Sequence, residues 1–334
     1  MQQTIVVTGG AGFVGVNLTR YAHMKGYRVI IIDTRDRLHR LESMGIFPDS
    51  QLIFSSLNLA EEHVSLEEDT HALIHLAALP QVDYSLHFPA RVVCNNYNAL
   101  VNILEFVRER KIPLLFVSSV EIYGGNGGEL LREDDAYHPL SPYAASKVAG
   151  ESLLKAYMAS LNVTGGIARL TNLYGPWQAP DRIIPRLITQ ILSDYPCEVD
   201  GGRLRDFLHV EDAVAALLSI IEHSVWGETF NIASEQGCDN YHLLSLLQQI
   251  SGKTIEASYS ESRRSDGRGE SLIASYEKLQ KAVAWHPSVS LQEGLKSTYD
   301  WYASHTYWWK QFDQNIRSDR TGPQFLTDYT HDLC

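Results

Sequence analysis

The chain has 334 residues, 44% hydrophobic and 20% charged, a composition typical of a globular protein long enough for one large domain or two moderate ones. Its net charge of −12, without a basic block, argues against nucleic acid and against an anionic membrane surface as partners. We find no secretory signal pattern and no apolar run of transmembrane length. The four cysteines lie far apart without paired spacing, so we expect a cytoplasmic protein without a metal site.

The first predicted strand, residues 3–7, leads into a glycine-rich turn, T-G-G-A-G-F-V-G, and then into a predicted helix. Three glycines of this turn have the spacing G-x-x-G-x-x-G, one residue away from the usual dinucleotide fingerprint. The first allows a tight turn, the second a close approach by a pyrophosphate, and the third close packing of helix on strand. With the helix N-terminus facing the phosphates, we predict these cofactor contacts: Gly9, Gly12, Phe13, Val14 and Gly15.

A second predicted strand, residues 27–32, ends at Asp33, eighteen residues after Gly15. A carboxylate at this place accepts hydrogen bonds from a ribose 2′-hydroxyl and repels a 2′-phosphate. The sequence therefore favours NAD over NADP as the cofactor. Arg35 argues in the other direction, because a nearby arginine could tolerate the phosphate.

Further alternation of strands and helices predicts the rest of a sheet. The helical pattern at residues 88–110 separates two of the predicted strands, which cover residues 51–54, 72–76, 114–117 and 166–170. We therefore predict an α/β fold with a doubly wound parallel sheet of the Rossmann type, which binds ligands at the carboxyl ends of its strands. Small residues at a strand end leave room for a flat cofactor or simply pack tightly. Further cofactor contacts are predicted there: Asn58, which could bond an adenine, Leu59, Ala77 and Ala78.

The α/β regularity weakens in the second half. Helices are predicted at residues 182–192, 210–222, 241–251 and 291–301, and a strand at residues 229–232. We expect an NAD-binding domain at residues 1–172 and, at residues 173–310, a mainly substrate-binding lobe with segments that return to the main sheet. A tail of weak periodicity, residues 311–334, follows. The glycine-containing loop 124–139 is interpreted either as a mobile flap over the site or as a solvated turn.

The chemistry is expected around a second helix start. Ser141 and Pro142 form a helix-start signal, an N-cap hydroxyl followed by proline at the first helical position. Tyr143 and Lys147 then lie four residues apart, on one face of that helix. A phenol normally keeps its proton until about pH 10, but a lysine cation and the positive end of the helix dipole favour the phenolate. The pair predicts an acid–base device.

Several motifs occur together in order: T-G-G-A-G-F-V-G, Asp33, H-L-A-A, a serine one strand before Y-x-x-x-K, and R-D-F-L-H-V-E-D. As a set, over residues 3–302, they resemble the extended short-chain dehydrogenase/reductases, the NAD-dependent nucleotide-sugar epimerases and dehydratases. The resemblance implies NAD as cofactor and a nucleotide-diphosphate sugar as substrate. It implies Ser119 on the reacting hydroxyl, Tyr143 as the acid–base and Lys147 on the nicotinamide ribose. It also implies diphosphate-binding residues: Asn172, Arg205 and, by a looser match, Arg264.

Two stretches are similar to the dTDP-glucose 4,6-dehydratases in particular. Residues 174–185, Y-G-P-W-Q-A-P-D-R-I-I-P, resemble their Y-G-P-Y-Q-x-P-E-K-L-I-P. V-D-Y-S at residues 82–85 resembles their H-V-D-R-S. These matches imply substrate contacts from Arg182 and Ser85.

A third stretch, S-V-E-I-Y-G at residues 119–124, aligns with T-D-E-V-Y-G of the same enzymes. Glu121 matches the glutamate that removes the proton at sugar carbon 5. Val120 stands where those enzymes carry the aspartic acid that protonates the departing 6-hydroxyl, and a valine cannot donate a proton. UDP-glucuronic acid decarboxylases and GDP-mannose dehydratases also keep the glutamate while lacking that aspartate.

The resemblance implies a first step in which Tyr143 takes the proton of the sugar 4-hydroxyl, Ser119 helps to pass it, and the hydride goes to NAD. The 4-ketone acidifies the proton at carbon 5, which Glu121 could remove, and loss of water with return of the hydride completes a dehydration. The alternatives are a 4-epimerase, a UDP-glucuronic-acid-type decarboxylase and a non-catalytic NAD-binding regulatory protein. A homodimer through the helices near Phe88 and Tyr143 is also expected.

Overall fold

The computed structural model describes residues 2–125, 129–201, 203–260 and 271–312. The strands of these residues, in chain order, are β1 (Thr4–Thr8), β2 (Arg28–Asp33), β3 (Leu52–Ser56), β4 (Ala72–His75), β5 (Leu114–Ser119), β6 (Gly165–Leu170), β7 (Asn172–Tyr174), β8 (Cys197–Asp200), β9 (Arg205–His209), β10 (Thr229–Ile232), β11 (Gly237–Cys238) and β12 (Ala257–Ser260). Seven of them form one parallel sheet with the order β10-β6-β5-β4-β1-β2-β3. The predicted doubly wound parallel α/β fold is confirmed.

Helices cover both faces of this sheet. In chain order, the helices of the described residues are α1 (Phe13–Met24), α2 (Arg35–Ser43), α3 (Val82–His87), α4 (Pro89–Arg110), α5 (Pro142–Leu161), α6 (Ile183–Leu192), α7 (Val210–Glu222), α8 (Asn240–Ser251), α9 (Glu277–Val283), α10 (Leu291–Ser304) and α11 (Thr306–Trp309), with 3₁₀ turns at Val120–Tyr123 and Lys310–Phe312. Helices α1 and α7 pack together on one face, and α4 and α5 on the other.

Alternation along the central strands explains why both faces are covered. In β1 and β2, Val7 and Ile31 point into the core under α1 and α7, whereas Val6 and Ile30 point into the core under α4 and α5. All four side chains are fully buried, and each contributes about 1.5–3 kcal/mol by leaving water. A strand that is apolar at every position therefore belongs in the middle of a parallel sheet.

The second half contributes both to the main sheet and to two small sheets. Strand β10 pairs with β6 at the edge of the main sheet. Strands β7, β9 and β11 form one small sheet, and β8 pairs with β12 in another. The sequence analysis predicted none of the strands in these small sheets, because they are two to five residues long and carry little periodicity. It also missed the helices α2, α3, α9 and α11.

The described part of the loop 124–139 is attached to the second half of the chain. Leu131 is buried and bridges to Ala274, and the Glu133 carboxylate accepts a hydrogen bond from the Asn231 main chain at 2.8 Å. Arg132 forms an ion pair with Glu277 at 2.8 Å. These contacts argue against a free flap, while Asp134 and His138 are exposed as in a solvated turn.

Among the described residues, no helix is long and apolar enough to cross a membrane, and no His, Cys, Asp and Glu cluster suits a metal ion. Arg264 and residues 313–334 of the expected tail lie outside the described residues.

Candidate active site

A cleft of about 1130 Å³ opens at the carboxyl ends of the central strands. Thr8 pairs with both Ile32 and His75, so the turns that follow β1, β2 and β4 lie side by side. Single-ligand pockets measure roughly 300–1,000 Å³, so this cleft has room for a dinucleotide and a second ligand. The residues predicted from the sequence that line it are Gly9, Gly12, Phe13, Val14, Gly15, Asp33, Asn58, Leu59, Ala77, Ala78, Ser119, Glu121, Tyr143, Lys147, Asn172, Arg182 and Arg205.

The glycine turn is shaped to hold a diphosphate. Gly9 has φ +69°, and a Cβ built on it would lie 2.7 Å from the Ala77 main-chain nitrogen, so a side chain is excluded there. Gly12 is the N-cap of α1 and has no side chain to cap the first-turn N–H groups. These donors and the positive end of the helix dipole therefore face the cleft, as a pyrophosphate requires.

Asp33 lies at the end of β2, where the ribose of a dinucleotide is expected. Its Oδ2 accepts a hydrogen bond from the Ala11 main chain at 3.0 Å, and its Oδ1 accepts one from Thr34 at 2.9 Å. Burial raises the pKa of this carboxyl, while the charges of Arg37 and Arg40 lower it in part. The pKa of Asp33 is raised overall. Its carboxylate nevertheless accepts two main-chain hydrogen bonds and lies near two arginine cations.

Ser119 and Glu121 lie at the junction of β5 and the following 3₁₀ turn. The Ser119 Oγ accepts a hydrogen bond from the Glu121 main chain at 3.2 Å and so caps the turn. Both residues line the cleft. Val120, between them, does not lie on the cleft wall and is buried in a cluster with Ile122 and Leu131.

Helix α5 begins as the sequence predicted. Ser141 is its N-cap, with the Oγ accepting from the Ala144 main chain at 3.1 Å, and Pro142 is the first helical residue. Asn96, buried on α4, donates to the Ser146 Oγ at 3.0 Å and accepts from the Leu79 main chain at 2.7 Å. This asparagine therefore links the turn after β4 to α5 by hydrogen bonds and stabilises the position of α5 at the cleft.

Lys147 is buried behind the tyrosine. Its Nζ donates to the Val117 main-chain carbonyl at 2.8 Å and lies 5.0 Å from the Phe116 ring centroid and 6.0 Å from that of Tyr143. Burial lowers the pKa of this ammonium to about 8, although Glu151 raises it in part. The lysine therefore lies beside the Tyr143 ring without a direct hydrogen bond to the phenol.

The sequence analysis expected a lowered pKa for Tyr143, and the structure shows the opposite. Burial raises the pKa of this phenol to about 12. A hydrogen bond with Ser119 and the charge of Arg182 lower it, and the charge of Glu121 raises it. Desolvation of the phenolate thus outweighs the Ser119 hydrogen bond and the charge of Arg182.

Two residues that were expected to contact the substrate are not found on the cleft wall within the described part of the chain. Ser85 is fully buried, and its Oγ donates to the Val82 carbonyl at 2.6 Å within α3, so it is not on the cleft wall. Arg264 lies outside the described residues. By contrast, Arg182 lines the cleft, with its Nη2 donating to the Pro80 carbonyl at 3.2 Å.

Other residues on the cleft wall were not singled out from the sequence. Arg37 and Arg40 follow Asp33 with a three-residue spacing on α2, a signal that could have been noticed. Arg35, which was considered instead, is exposed and lies off the wall. Further cations and aromatic residues also line the wall, among them Arg91, Arg186, Arg203, Trp177, Trp308 and Phe312. No local pattern places the last two there, because they come from the end of the described chain.

Comparisons with known proteins agree with this geometry. The model of the NAD dependent epimerase/dehydratase family matches residues 5–233. The dTDP-glucose 4,6-dehydratase of Mycobacterium tuberculosis strain H37Rv is 30% identical over 317 residues, covering 92% of this chain and 95% of the relative.

Solved structures give the same result. The dTDP-glucose 4,6-dehydratase of Bacillus anthracis, in complex with NAD, has a TM-score of 0.80 and 27% identity, covering 92% of this chain and 99% of that one. The UDP-glucuronic acid 4-epimerase of Bacillus cereus, in complex with UDP-glucuronic acid and NAD, has a TM-score of 0.82 and 28% identity, covering 90% of this chain and 99% of that one. With its glycine turn, Asp33 and the Ser119, Tyr143 and Lys147 group on one cleft, this chain belongs to the NAD-dependent epimerase/dehydratase family.

Proposed function

We propose that the protein is an NAD-dependent dehydratase that oxidises a nucleotide-diphosphate hexose at carbon 4 and then eliminates water across carbons 5 and 6. NAD, when bound, supplies the hydride acceptor and returns the hydride at the end of turnover. The dTDP-glucose 4,6-dehydratases of similar sequence and structure support this proposal.

The oxidation depends on the residues at the ends of β5 and α5. The phenolate form of Tyr143, which Ser119 and Arg182 favour against the effect of burial, takes the proton from the sugar 4-hydroxyl. Ser119 orients this hydroxyl and helps to pass its proton. Lys147 holds the nicotinamide ribose. Asn172 and Arg205, which also line the cleft, hold the diphosphate of the substrate.

The main support for this proposal is the position of Glu121. Its side chain lines the cleft two residues after Ser119, and its charge acts on Tyr143 closely enough to raise the pKa of the phenol. A carboxylate beside a 4-ketosugar is placed to remove the proton at carbon 5, which the ketone has made acidic. Oxidation and return of hydride at carbon 4 alone would need no such base.

Departure of the 6-hydroxyl also needs a proton. Val120 cannot supply it, because it has no titratable group and is buried away from the cleft. Once Glu121 has taken the proton from carbon 5 it is a carboxylic acid, and it can give that proton to the departing hydroxyl on the same face of the sugar. The elimination then balances as loss of one water, with Glu121 returned to its carboxylate form and a double bond left between carbons 5 and 6. Hydride returned to carbon 6 and a solvent proton at carbon 5 complete turnover, and the proton held by Tyr143 is released to solvent.

A 4-epimerase is the second candidate, favoured by Val120 and by the similarity to the UDP-glucuronic acid 4-epimerase. It would use Ser119, Tyr143 and Lys147 in the same way and would leave Glu121 without a role in proton transfer.

The test is a panel of dTDP-glucose, UDP-glucose, GDP-mannose and UDP-glucuronic acid in heavy water, with products weighed by mass spectrometry. A product lighter by one water and carrying solvent deuterium supports the dehydratase. An isomer of unchanged mass overturns it in favour of a 4-epimerase, and loss of carbon dioxide overturns it in favour of a decarboxylase. Bound NAD with no conversion of any sugar would indicate the regulatory protein.

Glu121→Gln separates the first two outcomes. In a dehydratase it abolishes deuterium incorporation and water loss, while an epimerase keeps its turnover. Glu61→Gln is the matched control. Glu61 is another carboxylate on the cleft wall, but it is distant from Ser119 in the sequence.

We also propose a cytoplasmic homodimer, with residues 1–172 binding NAD and residues 173–310 supplying most of the substrate lobe. Free thiols at Cys94, Cys197 and Cys238 support a reducing compartment. Exposed apolar side chains on α4, Val93 and Tyr97, support a partner on that face. Light scattering on purified protein would distinguish a dimer from a monomer.

A further inference from the structure

Asp206 is a buried carboxylate that follows Arg205 on β9. Successive side chains of a strand point to opposite faces, so Arg205 lines the cleft while Asp206 is fully buried. Burial raises the pKa of the Asp206 carboxyl to about 6, so this group is still ionised at neutral pH. An ionised carboxylate inside a protein requires hydrogen-bond donors around it.

Four donors from two separate segments meet this carboxylate. Its Oδ1 accepts hydrogen bonds from the Ser234 main chain at 2.9 Å and from the Ser234 Oγ at 2.6 Å. Its Oδ2 accepts from the main chains of Glu235 at 3.2 Å and Ala274 at 3.4 Å. Glu235 has φ +59°, in the left-handed region that disfavours residues with a side chain, so its turn depends on such contacts to keep its shape.

The main chain of Asp206 is bonded to the cleft wall as well. Its carbonyl oxygen accepts hydrogen bonds from the Thr171 Oγ1 at 3.0 Å and from the Asn172 Nδ2 at 3.4 Å. Its N–H donates to the Leu272 carbonyl at 3.3 Å, and Leu272 also forms a β-bridge with Arg205. The cleft is lined by Asn172, Arg205 and Leu272. One buried residue therefore fixes these parts of the wall relative to one another.

We propose that Asp206 is a positioning residue for the substrate diphosphate, because it holds Arg205 and Asn172 in place through the backbone. This inference rests on the proposed function, which assigns the diphosphate to those two residues. Charge-assisted hydrogen bonds to phosphate oxygens depend on geometry. A wall that shifts by about 1 Å therefore loses affinity even though both donors remain.

A second buried aspartate in the same motif, R-D-F-L-H-V-E-D at residues 205–212, provides a matched control. Asp212 is 4% exposed, and its carboxylate accepts a hydrogen bond from the Ser288 Oγ at 2.6 Å. It also accepts from the main chains of Ser288 at 3.1 Å and Val289 at 3.0 Å, as Asp206 does from its own serine and the residue after it. These three residues do not line the cleft.

The test measures isothermal titration of the full chain, freed of dinucleotide, with UDP, dTDP, GDP and NAD as probes. Steady-state kinetics use the nucleotide sugar of the panel above that the wild type converts. Asp206→Asn should weaken binding of the nucleoside diphosphate by about tenfold or more and raise KM similarly, with kcat and NAD affinity within about threefold of wild type. Asp212→Asn loses the same kind of contact and should change these values by less than about twofold.

A second pair of variants makes a smaller change. Ser234→Ala and Ser288→Ala each remove one hydrogen bond of 2.6 Å from a carboxylate and leave the carboxylate itself in place. Ser234→Ala should weaken nucleoside diphosphate binding by about threefold, and Ser288→Ala should leave it unchanged. This pair decides the inference if circular dichroism shows that Asp206→Asn does not fold.

The inference is overturned if a folded Asp206→Asn binds nucleoside diphosphates like the wild type, or if Asp212→Asn weakens them equally. It is also overturned if Asp206→Asn weakens NAD as much as the nucleoside diphosphates, since loss of stability would then explain both.

Arg205→Gln distinguishes this result from a failure of the proposed function. If Arg205→Gln weakens nucleoside diphosphate binding and Asp206→Asn does not, only the positioning role of Asp206 is wrong. If Arg205→Gln has no effect, or if the wild type binds none of the three nucleoside diphosphates, the proposed diphosphate site is wrong and the inference fails with it.

Discussion

Glu151 and Arg169 form an ion pair inside the protein, with neither side chain more than 1% exposed and 2.7 Å between Oε2 and Nη2. A second bond of 3.0 Å joins the Arg169 Nε to Oε1, so the contact is bidentate. Burial raises the pKa of Glu151, but Arg169, together with smaller effects that include the Tyr137 hydrogen bond, holds that pKa below its usual range. The pair fastens α5, which carries Tyr143 and Lys147, to β6.

Arg169→Met should cost about 3–5 kcal/mol of unfolding free energy, because Glu151 would keep its burial and lose its partner. Chemical denaturation monitored by circular dichroism measures this loss. Arg108→Met is the control: Arg108 pairs with Glu105 on the surface at 2.6 Å, and breaking that pair should cost less than about 1 kcal/mol. Equal losses in the two variants would contradict the structural role given to Arg169.

Tyr123 connects the ion pair to the 3₁₀ turn that carries Glu121. Its hydroxyl accepts from Arg169 at 2.6 Å and donates to the Asn231 side chain at 2.8 Å, and it ends the 3₁₀ turn that carries Glu121. Tyr123→Phe should therefore cost about 1–3 kcal/mol of stability and lower kcat by about tenfold with a smaller change in KM, because the base is less well oriented.

Tyr137→Phe is the matched control for that prediction. Its hydroxyl donates to Glu151 at 2.7 Å, so the variant should lose comparable stability, but Tyr137 lies outside the turn and kcat should stay within about twofold. Steady-state kinetics on both variants show whether kcat falls only in Tyr123→Phe. A similar fall in kcat for the two would show that loss of stability, and not misplacement of Glu121, is the cause.

Tyr143→Phe should reduce turnover by about 10²–10⁴-fold while NAD still binds, since the ring remains and only the proton acceptor is lost. Single-turnover absorbance of reduced nicotinamide follows the oxidation step directly. Tyr157→Phe, on the same helix but bonded to Glu105 at 2.7 Å, should leave this step unchanged. Full oxidation by Tyr143→Phe would remove the tyrosine from the mechanism.

His75 makes the fold sensitive to acid. It is 1% exposed in the middle of the sheet, its Nδ1 is hydrogen-bonded to the Thr8 Oγ1 at 2.8 Å, and burial, with a smaller effect from Lys147, lowers its pKa to about 3. Between pH 6.5 and 3 the unfolded chain binds a proton at His75 that the folded chain does not. Stability should therefore fall with falling pH, by up to about 1.4 kcal/mol per unit from this group.

His75→Asn keeps a polar partner for Thr8 and removes the titration. Urea unfolding at pH 7 and pH 4.5 should show a loss smaller by about 2 kcal/mol in this variant than in the wild type. His39→Asn, at a side chain that is 63% exposed, should reproduce the wild-type loss. Parallel pH dependence in wild type and His75→Asn would exclude His75 as the acid-sensitive group.

The fold and most of the cleft were predictable because their signals are local. Apolar runs such as that of β1, the glycine turn before α1 and the Ser141 and Pro142 helix start depend on neighbours within a few residues. Each of these signals therefore predicts the same local structure in any globular chain. The small sheets and α2 were missed, since short or polar segments take their conformation from packing that no local pattern records.

The sequence alone determined that a parallel sheet would carry a dinucleotide at its edge and that Tyr143 and Lys147 would share a helix face. Only the tertiary structure decided that Ser85 bonds within its own helix, that Val120 faces the core, and that burial raises the pKa of Tyr143. The reason is physical: helix and strand periods act over a few residues, whereas desolvation and charge depend on segments that folding brings together from distant parts of the chain.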